Sequence, residues 1–343
     1  MHAMTRVGFR PWLVLLGLGL GWALAFAGPP VASPAAAAVS EARSWMLRIQ
    51  AAARERSYQG TLVFTSGGAV SSLRVGHFCV GDQTFERIEA LDGRRQIIYR
   101  HNDLVHSLWP QSRIATAELR DAATAAPLLP DIEPRLLEHY EFKMLGGDRV
   151  AGREAQVLLL KPRDNLRFGQ RLWADAETGL VLRADVIDAH GAVLESSVFS
   201  DIELGARPQR ESIVTAMNKL DGYRVVKLES TRTRLDSEGW SIKQLPAGFQ
   251  LVGCVRRPIG GPTPEAGAGA SQVLQALYSD GLSRVSVFIE PFDPARPRQP
   301  LLTQMGATHT LMKPNAARWW VTVMGDVPKP TLKLFHAAIE RQP

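Results

Sequence analysis

Residues 60–109 read GTLVFTSGGAVSSLRVGHFCVGDQTFERIEALDGRRQIIYRHNDLVHSLW. Short runs rich in β-branched and aromatic residues alternate here with turn-forming residues, a pattern typical of strands. The runs cover residues 61–65, 70–78, 84–91, 96–100 and 104–109. Asp92-Gly93 is a strong hairpin signal because both residues tolerate positive φ. Strands joined by such short connections must be antiparallel, so the stretch predicts a β-meander and not a βαβ series.

The same pattern returns further along the chain, at residues 140–145, 154–161, 170–175, 181–188 and 193–204. Between the two sets, residues 120–140 are rich in Ala and Pro and predict short helices and loops that cover part of the sheet. Ser40 can cap a helix that runs to about residue 56. Residues 40–205 are therefore predicted to form one large antiparallel sheet with a few helices on it.

A second unit is predicted from residue 238 to residue 343. Residues 206–237 mix charged residues with little sustained apolar pattern, apart from residues 223–228, and are interpreted as a linker. Strand-like runs follow at residues 240–243, 249–255, 271–279, 284–291, 306–312 and 318–324. Pro330 can open a last helix. The fold class is α+β, with the smaller α+β domain at the C-terminus.

The N-terminus has the pattern of a secretory signal peptide. Arg6 and Arg10 precede an uncharged apolar run over residues 11–26, and small residues then fit a cleavage site near Ala27. An uncleaved anchor is the alternative, but the run is short for a membrane span of about 20 residues. Residues 1–27 are predicted to be removed and residues 28–39, rich in Pro, Ala and Gly, to be a flexible lead-in. The predicted localisation is the periplasm.

Charge and cysteine content limit the possible partners. The formal charge falls from +6 to +4 when Arg6 and Arg10 are removed, and no polybasic run stands out, so nucleic acid is not an expected partner. Cys79 and Cys254 would be free to form a disulfide in an oxidising compartment. Sequence does not give their separation, and two unpaired thiols are the favoured interpretation.

Motifs of enzymes are absent from the sequence. It contains no H-E-x-x-H, C-x-x-C, P-loop or G-x-S-x-G motif. His101 and His106 are close together, but their spacing of five is expected to put them on opposite strand faces, which is poor for a shared metal ion. We therefore predict no catalytic residues, no metal and no cofactor. A hydrolase would require a nucleophile and a base within hydrogen-bond distance.

An exported antiparallel sheet with helices on one face can instead offer an apolar surface to a lipid or an extended peptide. The side chains predicted to line it are Leu62, Phe64, Leu73, Val75, Ile97 and Tyr99. The alternative for each of them is ordinary core packing, which is the more common role of buried apolar residues.

Several motifs along the chain resemble one family, the sigma-E regulatory proteins RseB and MucB. In the first half these are Tyr58-Gln59-Gly60-Thr61 with His77, Glu86-Arg87, Leu91-Asp92-Gly93, Tyr140-Glu141-Phe142, Arg149-Val150-Ala151-Gly152-Arg153, Arg167-Phe168-Gly169, Leu172-Trp173 and Thr178-Gly179-Leu180. In the second half they are Leu245-Pro246-Ala247-Gly248-Phe249, Tyr278-Ser279-Asp280-Gly281-Leu282 and Gly325-Asp326-Val327-Pro328.

The resemblance implies a fold and a function. The first domain would be an unclosed antiparallel β-barrel of the type found in the lipoprotein carriers LolA and LolB. The protein would bind the periplasmic part of a membrane anti-sigma factor and shield it from regulated proteolysis. Mislocalised lipoprotein or lipopolysaccharide would release it. In MucB-type systems this restrains the envelope stress response and often alginate production.

The predicted partner-binding residues are Arg167, Phe168, Arg171 and Trp173. The planar guanidinium of each arginine can form paired hydrogen bonds with acidic groups of a partner. Solvated arginines at strand ends are the alternative. A periplasmic carrier of lipid or lipoprotein is the rival function, since it would share the fold. The sequence leaves the oligomeric state open.

Overall fold

The computed structural model describes residues 34–119, 134–258, 272–293, 298–315 and 318–342. The predicted signal peptide and the first part of the lead-in lie outside these residues. Helix α1 runs from Pro34 to Glu55, so it begins six residues before the cap expected at Ser40, and residues 34–39 of the predicted lead-in are helical. Pro at the first helical position and alanine directly after it both favour an early start.

The first domain is built on a sheet of twelve strands. Its members are β1 Tyr58–Ser66, β2 Ala69–Val80, β3 Gln83–Ala90, β4 Ile97–His101, β5 Leu104–Trp109, β6 Ile114–Leu119, β7 Tyr140–Val150, β8 Arg153–Pro162, β9 Gly169–Asp175, β10 Val181–Ile187, β11 Val193–Leu204 and β12 Arg224–Leu228. The strand order is β12-β6-β5-β4-β3-β2-β1-β11-β10-β9-β8-β7. Two meanders therefore join where β1 pairs with β11, and the two end strands, β12 and β7, lie at opposite edges of an open sheet.

Part of the predicted linker belongs to this domain. Helix α2, Arg210–Asn218, buries Ile213 and Met217 against Phe78 and Phe85 of the sheet. Strand β12 then adds to β6 and is the one parallel neighbour in the sheet as described. The apolar run at residues 223–228 was assigned to the linker because it is short and three of the five residues of this edge strand are exposed. The chain crosses to the second domain only after Leu228.

Two helices cover opposite faces of the large sheet. Helix α1 places Met46 and Ile49 against Leu158 and Leu172, and a short 3₁₀ turn at Pro134–Glu138 adds Leu136 to the same cluster. Helix α2 lies on the other face, because the side chain of Phe78 points away from that of Val75, which packs near α1.

The second domain has a sheet of seven strands in the order β13-β15-β16-β17-β20-β19-β18. These are β13 Thr231–Arg232, β15 Gln250–Pro258, β16 Gln272–Ser279, β17 Arg284–Pro291, β18 Leu301–Met305, β19 Thr308–Asn315 and β20 Trp319–Gly325. Strands β14 Trp240–Ile242 and β21 Ile339–Arg341 form a separate pair. Helix α3, Lys329–Ala338, buries Leu332 and Phe335 on one face of the larger sheet. The predicted fold class, an open antiparallel sheet domain followed by a smaller α+β domain, is confirmed.

Replacing Ile213 by Ala tests whether α2 is part of the first domain. Ile213 is fully buried, so its truncation should lower the free energy of unfolding by about 2–5 kcal/mol. The measurement is urea denaturation. The control is Val225→Ala on β12, where the side chain is largely exposed and the change should be small. Equal effects of the two variants would contradict the assignment of α2 to the core.

Candidate functional site

The six predicted ligand-binding side chains do not share one surface. Leu62 lies directly opposite Leu73, and Val75 lies opposite Ile88, which in turn lies opposite Ile98. Residues directly opposite each other in a sheet point to the same face. Ile97 and Tyr99 flank Ile98 in the same strand and therefore point to the other face.

The face that carries α1 holds four of the six residues. Leu62 and Val75 are core residues that contact Ala52 of α1, so the packing alternative holds for them. Phe64 and Leu73 are half-buried on that face. Ile97 is buried, and Tyr99 contacts the cluster beneath α2. Ile88 and Ile98 were not predicted, although they are half-buried on the α1 face. Pairing β3 with β4 across the Asp92-Gly93 turn aligns these two residues and would have identified them.

Arg167 does not lie on an open surface. It follows β8 in the connection to β9, and its guanidinium is fully buried against the second domain. Its Nε donates to Asp280 Oδ2 at 2.6 Å, and its two terminal nitrogens donate to Asp164 and to the carbonyl of Ala247. Asp280 is equally buried, in the turn between β16 and β17. Arg167 was predicted to contact a partner, but it forms an ion pair within the chain.

Tyr140 and two turns complete this ion pair. The Tyr140 hydroxyl donates to Asp280 Oδ2 at 3.2 Å, while the backbone N–H groups of Leu282 and Ser283 donate to Asp280 Oδ1 at 3.0 and 2.8 Å. Each of the two Asp280 carboxylate oxygens therefore accepts two hydrogen bonds. On the opposite side, Gly248 has a φ of +86°, and a Cβ there would collide with His139 and Arg167. Only glycine fits so close to the guanidinium.

Further contacts extend the junction between the domains. Phe168 is buried and stacks on His309 of the second domain, with ring centroids 5.8 Å apart. Thr331 Oγ1, at the start of α3, donates to the carbonyl of Leu166 at 2.7 Å. Leu282 contacts the apolar cluster that contains Tyr140. Phe168, like Arg167, is thus a contact between the domains.

Burial and charge together shift several pKa values at the junction. Burial alone would lower the pKa of Arg167, but the charge and hydrogen bond of Asp280 outweigh it, and the net shift is upward. Burial, reinforced by the charge of Asp280, raises the pKa of Tyr140. Burial also raises the pKa of Asp326 to about 6, although its Oδ1 accepts a hydrogen bond from the Arg284 N–H at 2.7 Å. Arg167 and Tyr140 therefore keep their protons at neutral pH.

Arg171 and Trp173 lie on the face of the large sheet opposite α1. The Trp173 ring is buried, donates from Nε1 to Asp148 at 2.8 Å, and lies 4.3 Å from the guanidinium of Arg183. Arg183 also forms two hydrogen bonds with Asp185, at 2.9 and 2.7 Å. Arg171 is half-buried 5.8 Å from the Trp173 ring, and its Nε has no hydrogen-bond acceptor. Of the two predicted arginines, Arg171 is the one that keeps unused donor capacity.

A cleft of about 450 Å³ lies where the hairpin tips of the two domains meet. Its walls are Thr65, Gly67, Gly68, residues 193–196, Gln304 and Gly306. Ser196, in the wall, lies opposite Asp185, and Asp185 lies opposite Arg171. Arg171 is therefore two strands from the cleft, about 10 Å away at the usual strand spacing.

The structure also tests the predictions made for the two cysteines and for the pair His101 and His106. Cys79 and Cys254 are both free thiols, as the favoured interpretation expected. His101 and His106 point to the same face and not to opposite faces, because a turn separates their strands and His106 lies opposite Tyr99. Within the described ranges, no group of three or more His, Cys, Asp or Glu side chains could hold a metal ion. No helix in those ranges is long and apolar enough to span a membrane.

Comparison with known proteins gives two family matches. The MucB/RseB N-terminal domain matches residues 41–217, and the MucB/RseB C-terminal domain matches residues 234–340. The chain belongs to the MucB/RseB family. The sigma factor AlgU regulatory protein MucB of Pseudomonas aeruginosa is 32% identical over 91% of this chain and 94% of its own length. The sigma-E factor regulatory protein RseB of Escherichia coli K12 is 26% identical over 90% of this chain and 92% of its own length.

Solved structures give the same family. The complex of MucA and MucB from Pseudomonas aeruginosa contains a chain that is 28% identical, with a TM-score of 0.67 over 88% of this chain and 99% of that one. A second structure, MucB with MucA(peri), has a TM-score of 0.64 at the same identity and the same two coverages. The predicted family, its sheet-rich first domain and its smaller second domain are confirmed.

Several of the motifs that resemble the MucB/RseB family meet at the junction. Arg167 comes from the first domain, Ala247 and Gly248 from the segment before β15, and Asp280 from the turn after β16. Residues separated by more than 100 positions thus contribute to one polar cluster. The motifs that contain Arg167, Gly248 and Asp280 thus share a structural task, which is to join the two domains.

Replacing Asp280 by Ala should destabilise the chain strongly. The change leaves the buried Arg167 guanidinium without its carboxylate, which typically costs about 3–5 kcal/mol. Urea denaturation measures the loss, with the exposed Asp221→Ala as the matched control. The double variant Arg167→Met/Asp280→Leu should recover part of the loss because no charge stays buried. A loss of less than about 1 kcal/mol in the single variant would contradict the assigned role.

Replacing Asp326 by Asn should stabilise the protein at high pH. The pKa of Asp326 is raised to about 6 in the folded state, so its stabilising contribution is present at low pH and is lost as pH rises through 6. Asn keeps an acceptor for the Arg284 N–H and carries no charge beside Asp280. The gain should be about 1–3 kcal/mol at pH 8 and vanish near pH 4. Denaturation at both pH values checks this; equal gains at both would contradict it.

Proposed function

We propose that this chain is a periplasmic regulator that binds the periplasmic part of a membrane anti-sigma factor and shields it from regulated proteolysis. The observation that carries the proposal is the match along both domains to a MucB chain whose solved complex contains MucA. The names of the relatives, regulatory proteins of the sigma factors AlgU and sigma-E, support a regulatory and not an enzymatic role.

The candidate binding site is the cleft at the hairpin tips together with the neighbouring surface around Arg171. An extended segment of the partner would lie in the cleft and follow the row of Ser196, Asp185 and Arg171 across the sheet. Arg171 supports this choice because its buried Nε has no acceptor among the described residues, whereas Arg183 beside it already pairs with Asp185. Acidic partner groups would form charge-assisted hydrogen bonds there.

Shielding follows from binding if the cleavable segment of the partner is held in the complex. The protease then acts on the free fraction alone, and the signal must favour the released state to change that fraction. Mislocalised lipoprotein or lipopolysaccharide is the proposed signal. Phe64, Leu73, Ile88 and Ile98, half-buried on the α1 face, are the apolar residues that favour an acyl-chain ligand there.

The same apolar residues favour a second function, a carrier of lipid or lipoprotein. Native mass spectrometry of the purified chain distinguishes the two functions. A carrier should retain stoichiometric lipid and show no affinity for the anti-sigma segment. A regulator should bind that segment when it is free of lipid.

Titration calorimetry with a soluble periplasmic segment of the anti-sigma factor tests the proposal. Arg171→Ala should weaken binding by about 1.5–3 kcal/mol, the range of a charge-assisted hydrogen bond, without unfolding the domain. Arg207→Ala is the control, since Arg207 is exposed and remote from this row of residues. Arg171→Ala with unchanged affinity would remove Arg171 from the site. No binding at tens of micromolar to the folded wild-type chain would overturn the proposed function.

A further inference from the structure

Cys79 lies in a chain of three interacting side chains at the end of α1. Its Sγ is 3.4 Å from His77 Nε2, and His77 Nδ1 is 2.8 Å from Glu86 Oε1. The Tyr58 ring stacks on the imidazole with centroids 5.1 Å apart. His77 and Glu86 are directly opposite each other on β2 and β3, so the sheet register itself fixes this order. Tyr58, His77 and Glu86 belong to the family motifs, and Cys79 adds a thiol to them.

The arrangement has the order nucleophile, base and orienting carboxylate. Glu86 contacts the Nδ1 side of the ring and favours the tautomer with the proton on Nδ1, in which Nε2 presents its lone pair to the sulfur. The thiol is half-buried, and its single S–H proton has two acceptors within reach, the Arg54 carbonyl at 3.0 Å and His77 Nε2 at 3.4 Å. Burial, and then the charges of Glu86 and Glu55, raise the pKa of the Cys79 thiol. At neutral pH the group is thus a thiol and not a thiolate, so it needs a base during reaction.

We propose that Cys79 is a site of thiol–disulfide exchange with low-molecular-weight disulfides, with His77 as its general base and Glu86 as the residue that positions His77. Cys254 does not share this property, because it is buried in the core of the second domain and burial raises its pKa to about 11. The inference concerns the chain alone and does not depend on the anti-sigma partner.

The exchange requires no reactant other than the small disulfide. His77 Nε2 takes the thiol proton as the Cys79 sulfur attacks one sulfur of the small disulfide. A new S–S bond forms, the old S–S bond breaks, and the leaving thiolate receives the proton from the imidazolium. Cys79 is oxidised to a mixed disulfide and one half of the reagent is reduced to a thiol. The adduct replaces the bond to the Arg54 carbonyl, at the point where α1 meets β2.

The experiment follows 4,4′-dithiodipyridine, a small disulfide whose thiol product absorbs light, on the full chain at pH 7. The Cys254→Ser variant isolates Cys79, and the double variant Cys79→Ser/Cys254→Ser is the blank. Base assistance predicts that Cys79 reacts in the native chain at least as fast as in urea, although it is half-buried. A native rate about tenfold or more below the rate in urea would overturn the proposal, because shielding would then dominate.

A second variant tests the base directly. His77→Gln keeps a side chain of similar length and removes the basic nitrogen, so the native exchange rate should fall by about tenfold or more. Glu86→Gln should lower the rate less, as expected for a residue that acts through His77. Circular dichroism checks that both variants are folded. An unchanged rate in folded His77→Gln contradicts the proposal; if that variant unfolds, the comparison of native and urea rates in Cys254→Ser decides.

Discussion

The ion pair between Arg167 and Asp280 is the contact on which the relation between the two domains depends. Two charges without solvent exposure are costly unless every donor and acceptor around them is used. The junction gives a partner to each guanidinium nitrogen and to both Asp280 oxygens, through Tyr140, Asp164, the Ala247 carbonyl and the N–H groups of Leu282 and Ser283. Because these groups come from both domains, the pair is satisfied only when the domains are docked as they are.

The large sheet supplies the frame for that docking. The β8–β9 connection that carries Arg167 and the β1–β2 hairpin tip lie at the end of the sheet that meets the second domain. Helices α1 and α2 cover opposite faces of the sheet, so its end is the part left for the second domain and for the cleft. The position of the candidate site thus follows from which surfaces the helices already occupy.

The sequence predicted strand content well and the faces of strands less well. Alternation gave the meanders and the α+β class, because β-branched runs and Asp92-Gly93 are local signals. Ile97 and Tyr99 were assigned to the wrong face of the sheet. The turn between β3 and β4 aligns Ile88 with Ile98, so Ile97 and Tyr99 point to the opposite face. Strand β12 was assigned to the linker because three of its five residues are exposed and its apolar run is short. Arg167 was assigned to a partner because no local signal distinguishes a buried arginine from a solvated one, and its acceptor is 113 residues away.

The strength of the junction limits how a signal could act on this protein. Opening the domains would expose Arg167 and Asp280 only after breaking the hydrogen bonds that satisfy them, so the open state should be rare. A ligand shifts an equilibrium only by its differential affinity for the two states, and each 1.4 kcal/mol of that difference changes the ratio about tenfold. Release by domain separation would therefore require a ligand with a large preference for the open form. Competition at the cleft needs no such preference, because the docked domains remain in place. If a ligand releases the partner, competition between the two at the cleft is therefore a simpler mechanism than separation of the domains.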